Sequence, residues 1–258
     1  MIIAQISDLH VCVKGSLVYD RFDTGMCLER CVQHILQLKP APDAVLATGD
    51  LVDGGSTAEY RHLREVLRPL TMPLYLIPGN HDDRAALCAE FRDHAYLPRP
   101  GASVCYAVEQ YPVRLLALDT VVPGADGGAL DTAQLDWLEA QLAAVPHMPT
   151  LIFMHHPPFK TGIRCMDEIG LTAVSAARLG EIISRHRQVE CITCGHVHRG
   201  IQACWHGTTV SICPSTAYQS ILDLATGKFE ASSNDPPAYQ LHYWNGSEIV
   251  THTVVVNT

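Results

Sequence analysis

Residues 73–83 read Pro-Leu-Tyr-Leu-Ile-Pro-Gly-Asn-His-Asp-Asp. The apolar run 73–77 has the length of a buried strand; it stops at a proline and a glycine and opens into a polar cluster. The same grammar recurs along the chain. Residues 1–6 lead into Asp8-Leu9-His10, 43–48 into Gly49-Asp50, 150–154 into His155-His156-Pro157, and 190–194 into Gly195-His196-Val197-His198. Between these runs, apolar residues at helical spacing predict helices over 25–38, 57–68, 83–92, 131–144 and 175–187. Segments 104–109 and 113–119 predict a hairpin. From about 201 the pattern turns β-rich, with strands expected at 201–206, 208–213, 238–244 and 248–256; the polar stretch 225–237, with two prolines, reads as a loop. No linker or repeat divides the chain, so one domain over 1–258 is expected. Strand–helix alternation predicts an α/β fold with largely parallel strands and an antiparallel C-terminal part. In such sheets chemistry gathers beyond the carboxyl ends of the strands, which is where the polar clusters fall.

Composition narrows the function classes. With 47% apolar and 17% charged residues the chain is globular, not disordered. A formal charge of -9 argues against a protein that grips extended nucleic acid with a broad basic surface. No apolar run approaches the roughly 18 residues of a membrane helix. The N-terminus has no basic leader, so a cytoplasmic protein is expected. The 10 cysteines lie mostly within apolar stretches and read as reduced thiols packed like small hydrophobes. Cys191 and Cys194 have CxxC spacing, but no second pair accompanies them to make a structural zinc site.

The strand-end clusters supply Asp8, His10, Asp50, Asn80, His155, His196 and His198. Seven mixed nitrogen and oxygen ligands exceed one tetrahedral zinc and suit two metal ions sharing a bridging carboxylate. Imidazole disfavours the hard ions, so Mn, Fe, Co or Zn fits better than Ca or Mg. Gly49, Gly79 and Gly195 each precede a candidate ligand and are expected to supply backbone angles closed to other residues. Each cluster alone is ordinary turn chemistry; their joint occurrence after apolar runs carries the metal reading. No GxSxG elbow and no GxxxxGK[ST] loop competes.

DxH, GD, GNHD, HH and GHxH in this order resemble the calcineurin-like metallophosphoesterase superfamily. The stretches 73–83 and 153–159 (Phe-Met-His-His-Pro-Pro-Phe) bring the resemblance closer to the bacterial class III cyclic nucleotide phosphodiesterases and their glycerophosphodiesterase relatives; it covers roughly residues 1–215. It implies a four-layer α/β/β/α sandwich with two stacked mixed sheets. It implies one metal held by Asp8, His10, Asp50 and His198, the other by Asp50, Asn80, His155 and His196, with Asp50 bridging. His155 is chosen over His156 because the ligand directly follows the apolar strand. The implied reaction is hydrolysis of small phosphodiesters, 3′,5′-cyclic nucleotides or glycerophosphodiesters, by a metal-bridging hydroxide, with His81 protonating the leaving group. Asn80, His81, His156 and Tyr19 are the expected substrate contacts. Substrate walls are expected from loops 12–24, 160–172 and 214–237, with Arg164 and Tyr218 as further lining candidates. The competing readings are a phosphomonoesterase or another phosphoesterase on the same metals, and a metal-binding regulatory protein without turnover. The resemblance implies no membrane partner and leaves room for a homo-oligomer.

Overall fold

The computed structural model describes residues 1–232 and 234–256. Among the described residues, thirteen strands and six α-helices follow the expected alternation. In the first sheet the order is β13 (Ile249–Val255), β12 (Ala238–Trp244), β1 (Ile2–Ile6), β2 (Ala44–Thr48), β3 (Leu74–Ile77). Strands β1, β2 and β3 run parallel, β12 runs antiparallel to β1, and β13 antiparallel to β12. The second sheet has the order β4 (Tyr106–Val108), β5 (Arg114–Leu118), β6 (Thr150–Met154), β7 (Val189–Cys194), β9 (Thr208–Ile212), β8 (Ile201–Trp205). Its strands β5, β6, β7 and β9 are parallel, with β4 and β8 antiparallel at the edges.

Side chains alternate across each strand, and that alternation builds the layers. Ile3, Leu46 and Ile77 face Leu115, Leu151, Phe153 and Cys191 in an apolar layer between the sheets. Their neighbours Ala4, Ile6, Val45, Ala47 and Leu76 face outward onto α1 (Thr24–Gln37) and α2 (Thr57–Leu67), through Leu28, Val32, Ile35, Tyr60 and Leu63. On the far side, Leu116, Ile152, Met154 and Ile192 pack beneath α4 (Thr132–Ala144) and α6 (Ala173–Arg185). The result is the expected helix–sheet–sheet–helix sandwich. Helices start where short polar side chains accept backbone N–H groups, as at Ser56 and Asp131, each with a reciprocal bond from the residue three places on.

Polar bonds cross the sheet interface directly under the carboxyl ends. The Gln5 amide donates to Thr48 Oγ1 at 2.9 Å and to the Cys194 carbonyl at 3.0 Å. These bonds register the end of β1 against the end of β7. All ten cysteines are free thiols, most of them buried or half-buried.

The structure departs from the sequence expectations in short elements. Helix α5 (Arg164–Glu168) is one turn, too short to show a period, and lies in the expected loop 160–172. Helix α6 begins at Ala173, not 175, because Thr172 caps it. The stretch 225–237 contains β11 (Ala231–Ser232), which pairs with β10 (Gln219–Ser220); Ser233 in that stretch lies outside the described residues. Helix α3 (Arg84–Glu90) is where the 83–92 pattern placed it.

At the β3 edge, the Tyr96 hydroxyl donates to the Leu74 carbonyl at 2.8 Å and accepts the Leu76 N–H at 3.1 Å. Tyr106 donates to the Leu76 carbonyl at 2.8 Å. Tyr96→Phe leaves two backbone groups of β3 without partners and should destabilise the fold by about 1–3 kcal/mol. The check is a lower urea midpoint at unchanged slope.

Candidate dinuclear metal centre and active-site cavity

The carboxyl ends of β1, β2, β3, β6 and β7 meet at one edge of the sandwich and bring together all seven candidate ligands. Asp8, His10, Asp50, His196 and His198 take the left-handed conformation, with φ of 52°, 44°, 47°, 74° and 53°. That region is uncommon for non-glycine residues, though Asp and His enter it more readily than most. Tertiary hydrogen bonds hold it: Asp8 N–H donates to the Gly49 carbonyl at 3.1 Å, His10 N–H to the Asp50 carbonyl at 2.9 Å, and His196 N–H to the Asp8 carboxylate at 2.9 Å.

The glycine expectation is corrected here. Of the three glycines only Gly49 is left-handed, at φ 88°. Gly79 and Gly195 serve by having no side chain. A Cβ on Gly195 would collide with Ser7 Oγ and stand 2.8 Å from Asp8 Oδ2. A Cβ on Gly79 would collide with the backbone nitrogen and carboxylate of Asp50. The sharp angles fall on the candidate ligands themselves.

Three of the imidazoles have one nitrogen committed. His198 Nδ1–H donates to the Tyr218 carbonyl at 2.9 Å, His155 Nδ1–H to the Thr48 carbonyl at 2.8 Å, and His10 Nδ1–H to the Asp53 carboxylate at 3.1 Å. In the neutral rings the remaining Nε2 atoms are therefore bare acceptors. His10 Nε2 and His198 Nε2 face one another at 3.0 Å. Asp50 Oδ2 lies 3.6 Å from His10 Nε2 and 3.4 Å from His155 Nε2. The Asn80 amide oxygen lies 3.2 Å from His155 Nε2 and 3.1 Å from His196 Nδ1, and the buried His196 Nε2 has no hydrogen-bond partner. Asp8 Oδ1 is 3.6 Å from His198 Nε2. Acceptors facing acceptors repel unless a cation or a proton lies between them. The donor set fits two metal ions, with the Asp50 carboxylate between the two groups. Second hydrogen bonds that aim each imidazole are the usual support of a metal ligand.

Electrostatics agree. Burial works to raise the Asp50 pKa, but His155 and His10 carry it well below the usual carboxylate range. Burial works to lower His155, but the Asp50 and Asp8 carboxylates hold it at about 9. His198 is pushed down to about 4, chiefly by burial. His156 belongs to a different class: burial and the neighbouring His155 push it down to about 3. Both its ring nitrogens are occupied, Nδ1 by the Thr120 hydroxyl at 2.8 Å and Nε2 by the Asp126 carbonyl at 3.0 Å. Its place is behind His155 and His196, 4.5 Å from the latter ring centre to centre. It does not face the cavity, so the expectation of a substrate contact there is corrected.

His81 stands outside the acceptor cluster. Its Nδ1–H donates to the Asp53 carbonyl at 2.8 Å, which leaves Nε2 free, and its ring meets His10 edge-on at 4.6 Å. Burial lowers its pKa, but Asp50 and the Asp53 carbonyl outweigh that and raise it above the ordinary value. Asp82 does not hold it. The Asp82 carboxylate accepts N–H groups from Leu51, Val52 and Gly79 and the Tyr60 hydroxyl, and so ties the β2 and β3 turns together.

A cavity of about 230 Å³ joins these groups; its floor is His10, Asp50, Asn80, His81, His196 and His198. Its walls are Tyr19, Asp126, Tyr218 and Phe229, with Cys165, Met166 and Ile169 from α5 and its end. Loops 12–24, 160–172 and 214–237 thus each supply a wall. Tyr218 sits 4.7 Å from the His198 ring and 5.5 Å from Tyr19. Arg164 points elsewhere, to Glu168, and Arg199 donates to the Ser220 carbonyl. A larger cavity of about 700 Å³ lies beside α2 and includes none of the candidate residues. The sequence reading missed Asp53 and Asp126. Asp53 follows Asp50 by three residues and was visible as a second carboxylate; Asp126 belongs to the loop after β5, a strand end with no motif.

The family model of the calcineurin-like phosphoesterases matches residues 1–200. The chain belongs to this family. A probable glycerophosphodiester phosphodiesterase GpdQ of Arcobacter nitrofigilis is 37% identical, over 98% of this chain and 92% of that protein. The cyclic AMP phosphodiesterase CpdA of Escherichia coli is 30% identical, over 84% of this chain and 76% of that protein. Among solved structures, a dimetal phosphatase from Danio rerio is 16% identical with a TM-score of 0.68, over 100% of this chain and 99% of that one. A purple acid phosphatase from yellow lupin is 13% identical with a TM-score of 0.74, over 99% of this chain and 51% of that one. At such identities these last two show the shared fold. The phosphoesterase carries no helix among its described residues long and apolar enough to cross a membrane.

The His155 pKa of about 9 makes metal loading a proton exchange. A metal held by His155 would need the ring neutral, and below about 9 the ring holds a proton in chelator-treated protein. Uptake of Mn at neutral pH should therefore release a proton, and affinity should rise with pH and level off above that value. Titration calorimetry in buffers of different ionisation enthalpy checks it; uptake with no proton release contradicts it.

Proposed function

We propose that this phosphoesterase hydrolyses small phosphodiesters, of the glycerophosphodiester or 3′,5′-cyclic nucleotide class. In this reading Asp8, His10, Asp50 and His198 hold one ion, Asp50, Asn80, His155 and His196 the other, and Asp50 is shared. The nitrogen-rich donor set suits Mn, Fe, Co or Zn. Two such ions supply the positive field and the activation of water that attack on a phosphorus ester needs. His81 Nε2 faces the same cavity and, when the ring is protonated, is a donor for the departing alkoxide. Asp53 positions two rings at once, with its carboxylate on His10 and its carbonyl on His81.

The observation that carries the diester reading is the cavity lining: it includes no lysine or arginine. A diester brings one negative charge, a monoester dianion two, and among the described lining residues no lysine or arginine offsets the second. Apart from the candidate ligands, and from His81 and Asp126, the lining is aromatic and apolar, with Tyr19, Tyr218 and Phe229 able to bed an uncharged substituent. At about 230 Å³ the cavity is below the roughly 300–1,000 Å³ of sites for drug-sized molecules, which suits small esters and not a polymer. The named relatives that act on glycerophosphodiesters and on cyclic AMP support the same class.

The deciding experiment is kcat/KM for a matched diester and monoester on metal-loaded protein. The diester should be preferred; a monoester preference of about tenfold, some 1.4 kcal/mol, sinks the reading. A second measurement isolates His81. His81→Ala should retain the metal content of the parent while kcat falls by roughly 10²-fold on an alkyl ester. The loss should be smaller with a nitrophenolate leaving group, which needs little protonation. Equal losses on both esters would assign His81 a structural role.

A further inference from the structure

The two edges of the first sheet are finished differently. Tyrosines close β3, as described above. At β13 the backbone groups facing away from β12 meet no partner among the described residues. Val256 N–H donates back to the Pro237 carbonyl at 2.8 Å, and Val250 pairs with Tyr243, His252 with Leu241 and Val254 with Tyr239. By the alternation of an antiparallel ladder, the even-numbered residues turn their N–H and C=O groups toward β12. Ile249, Thr251, Thr253 and Val255 turn theirs outward, and none of these groups has a hydrogen-bond partner among the described residues. The strand also lacks the devices that blunt an edge: it has no lysine, proline, glycine or inward charge.

Its sequence, Ile249-Val250-Thr251-His252-Thr253-Val254-Val255, reads nearly the same in both directions about His252. We propose that β13 is a self-pairing edge: a second copy of this chain adds its own β13 antiparallel across a two-fold axis at His252, joining two five-stranded sheets into one. The axis sets the register. Thr251 of one copy faces Thr253 of the other, Val250 faces Val254, and Ile249 faces Val255. The outward-facing residues make the hydrogen-bonded pairs, each exchanging two N–H···O bonds. His252 lies opposite itself in a non-hydrogen-bonded pair, where Cα atoms approach to about 4.5 Å. On both sides of the axis threonine meets threonine and β-branched apolar residue meets β-branched apolar residue, which favours strand pairing. An axis one residue away would take two residues out of the ladder. A foreign strand satisfies the same backbone groups but gains nothing from the palindrome, so the palindrome selects a second copy.

Sedimentation velocity of the full chain at micromolar concentration should show a dimer. Thr253→Pro removes an N–H that has no partner among the described residues, at an edge position where proline is tolerated. It should raise the dimer Kd at least about tenfold, with the far-UV spectrum unchanged. Register is read independently by cross-linking in a Cys204→Ser background, which removes the exposed thiol. His252→Cys should form an intermolecular disulfide, since the expected Cα separation lies within the disulfide range of roughly 4.4–6.8 Å. Val250→Cys, which faces Val254, should not. A chain that stays monomeric at all concentrations overturns the proposal. So does a dimer that Thr253→Pro leaves intact, or one in which His252→Cys fails to cross-link. If Thr253→Pro does not fold, the cross-linking pattern decides alone.

Discussion

Acceptor atoms that face one another without a hydrogen between them are unstable neighbours, and the edge of this sandwich is built from them. The bare Nε2 atoms of His10 and His198, at 3.0 Å, are the tightest instance. For His10, His155 and His198 the other ring nitrogen is already spoken for by a fixed backbone or carboxylate oxygen, so the ring cannot turn away. Those oxygens belong to Thr48, Tyr218 and Asp53, which are held in turn by the strand ends and the loops packed on them. The rest of the fold can be understood as the means of keeping these rings aimed. Five residues of the cluster also sit in left-handed backbone. Such conformations cost of order 1–3 kcal/mol each and persist only where the surroundings over-determine them. The apolar layers on both faces of both sheets are what make the surroundings rigid enough.

Much of this was legible in the order of the residues. An apolar run that ends in a carboxylate, amide or imidazole, repeated at five places, is a pattern whose physical content survives without coordinates. Burial on both faces makes the strands continuous apolar runs, and the parallel sense puts their ends on one side. The choice of His155 over His156 rests on the family resemblance, in which the ligand directly follows the apolar strand. In the fold, Thr120 and Asp126 occupy both ring nitrogens of His156.

The parts that were not legible have physical reasons too. Helix α5 and the β10–β11 pair are too short to display a period. The left-handed residues were placed on the glycines because glycine has the lowest intrinsic cost there. Gly79 and Gly195 turned out to matter through the volume they leave for Asp50, Asp8 and Ser7. That role depends on which chain segments approach in three dimensions and leaves no mark on local sequence. The same holds for Asp126, which enters the cavity from a loop whose strand end carries no metal motif.

The atoms that hold charge and the atoms that shape the cavity come from separate parts of the chain. The floor is anchored in strand termini inside the sandwich, while Tyr19, Met166, Ile169, Tyr218 and Phe229 stand on connections draped over it. Side chains on such connections vary more readily than those of the strands they cover, although Met166 is itself part of the core beneath α4 and α6. The scaffold is therefore modular in the evolutionary sense: a lineage can drift through new ester partners by remodelling its rim, while the chemistry of bond cleavage is inherited intact. That separation suits a layered fold shared by phosphatases whose identity to this chain is as low as 13–16%.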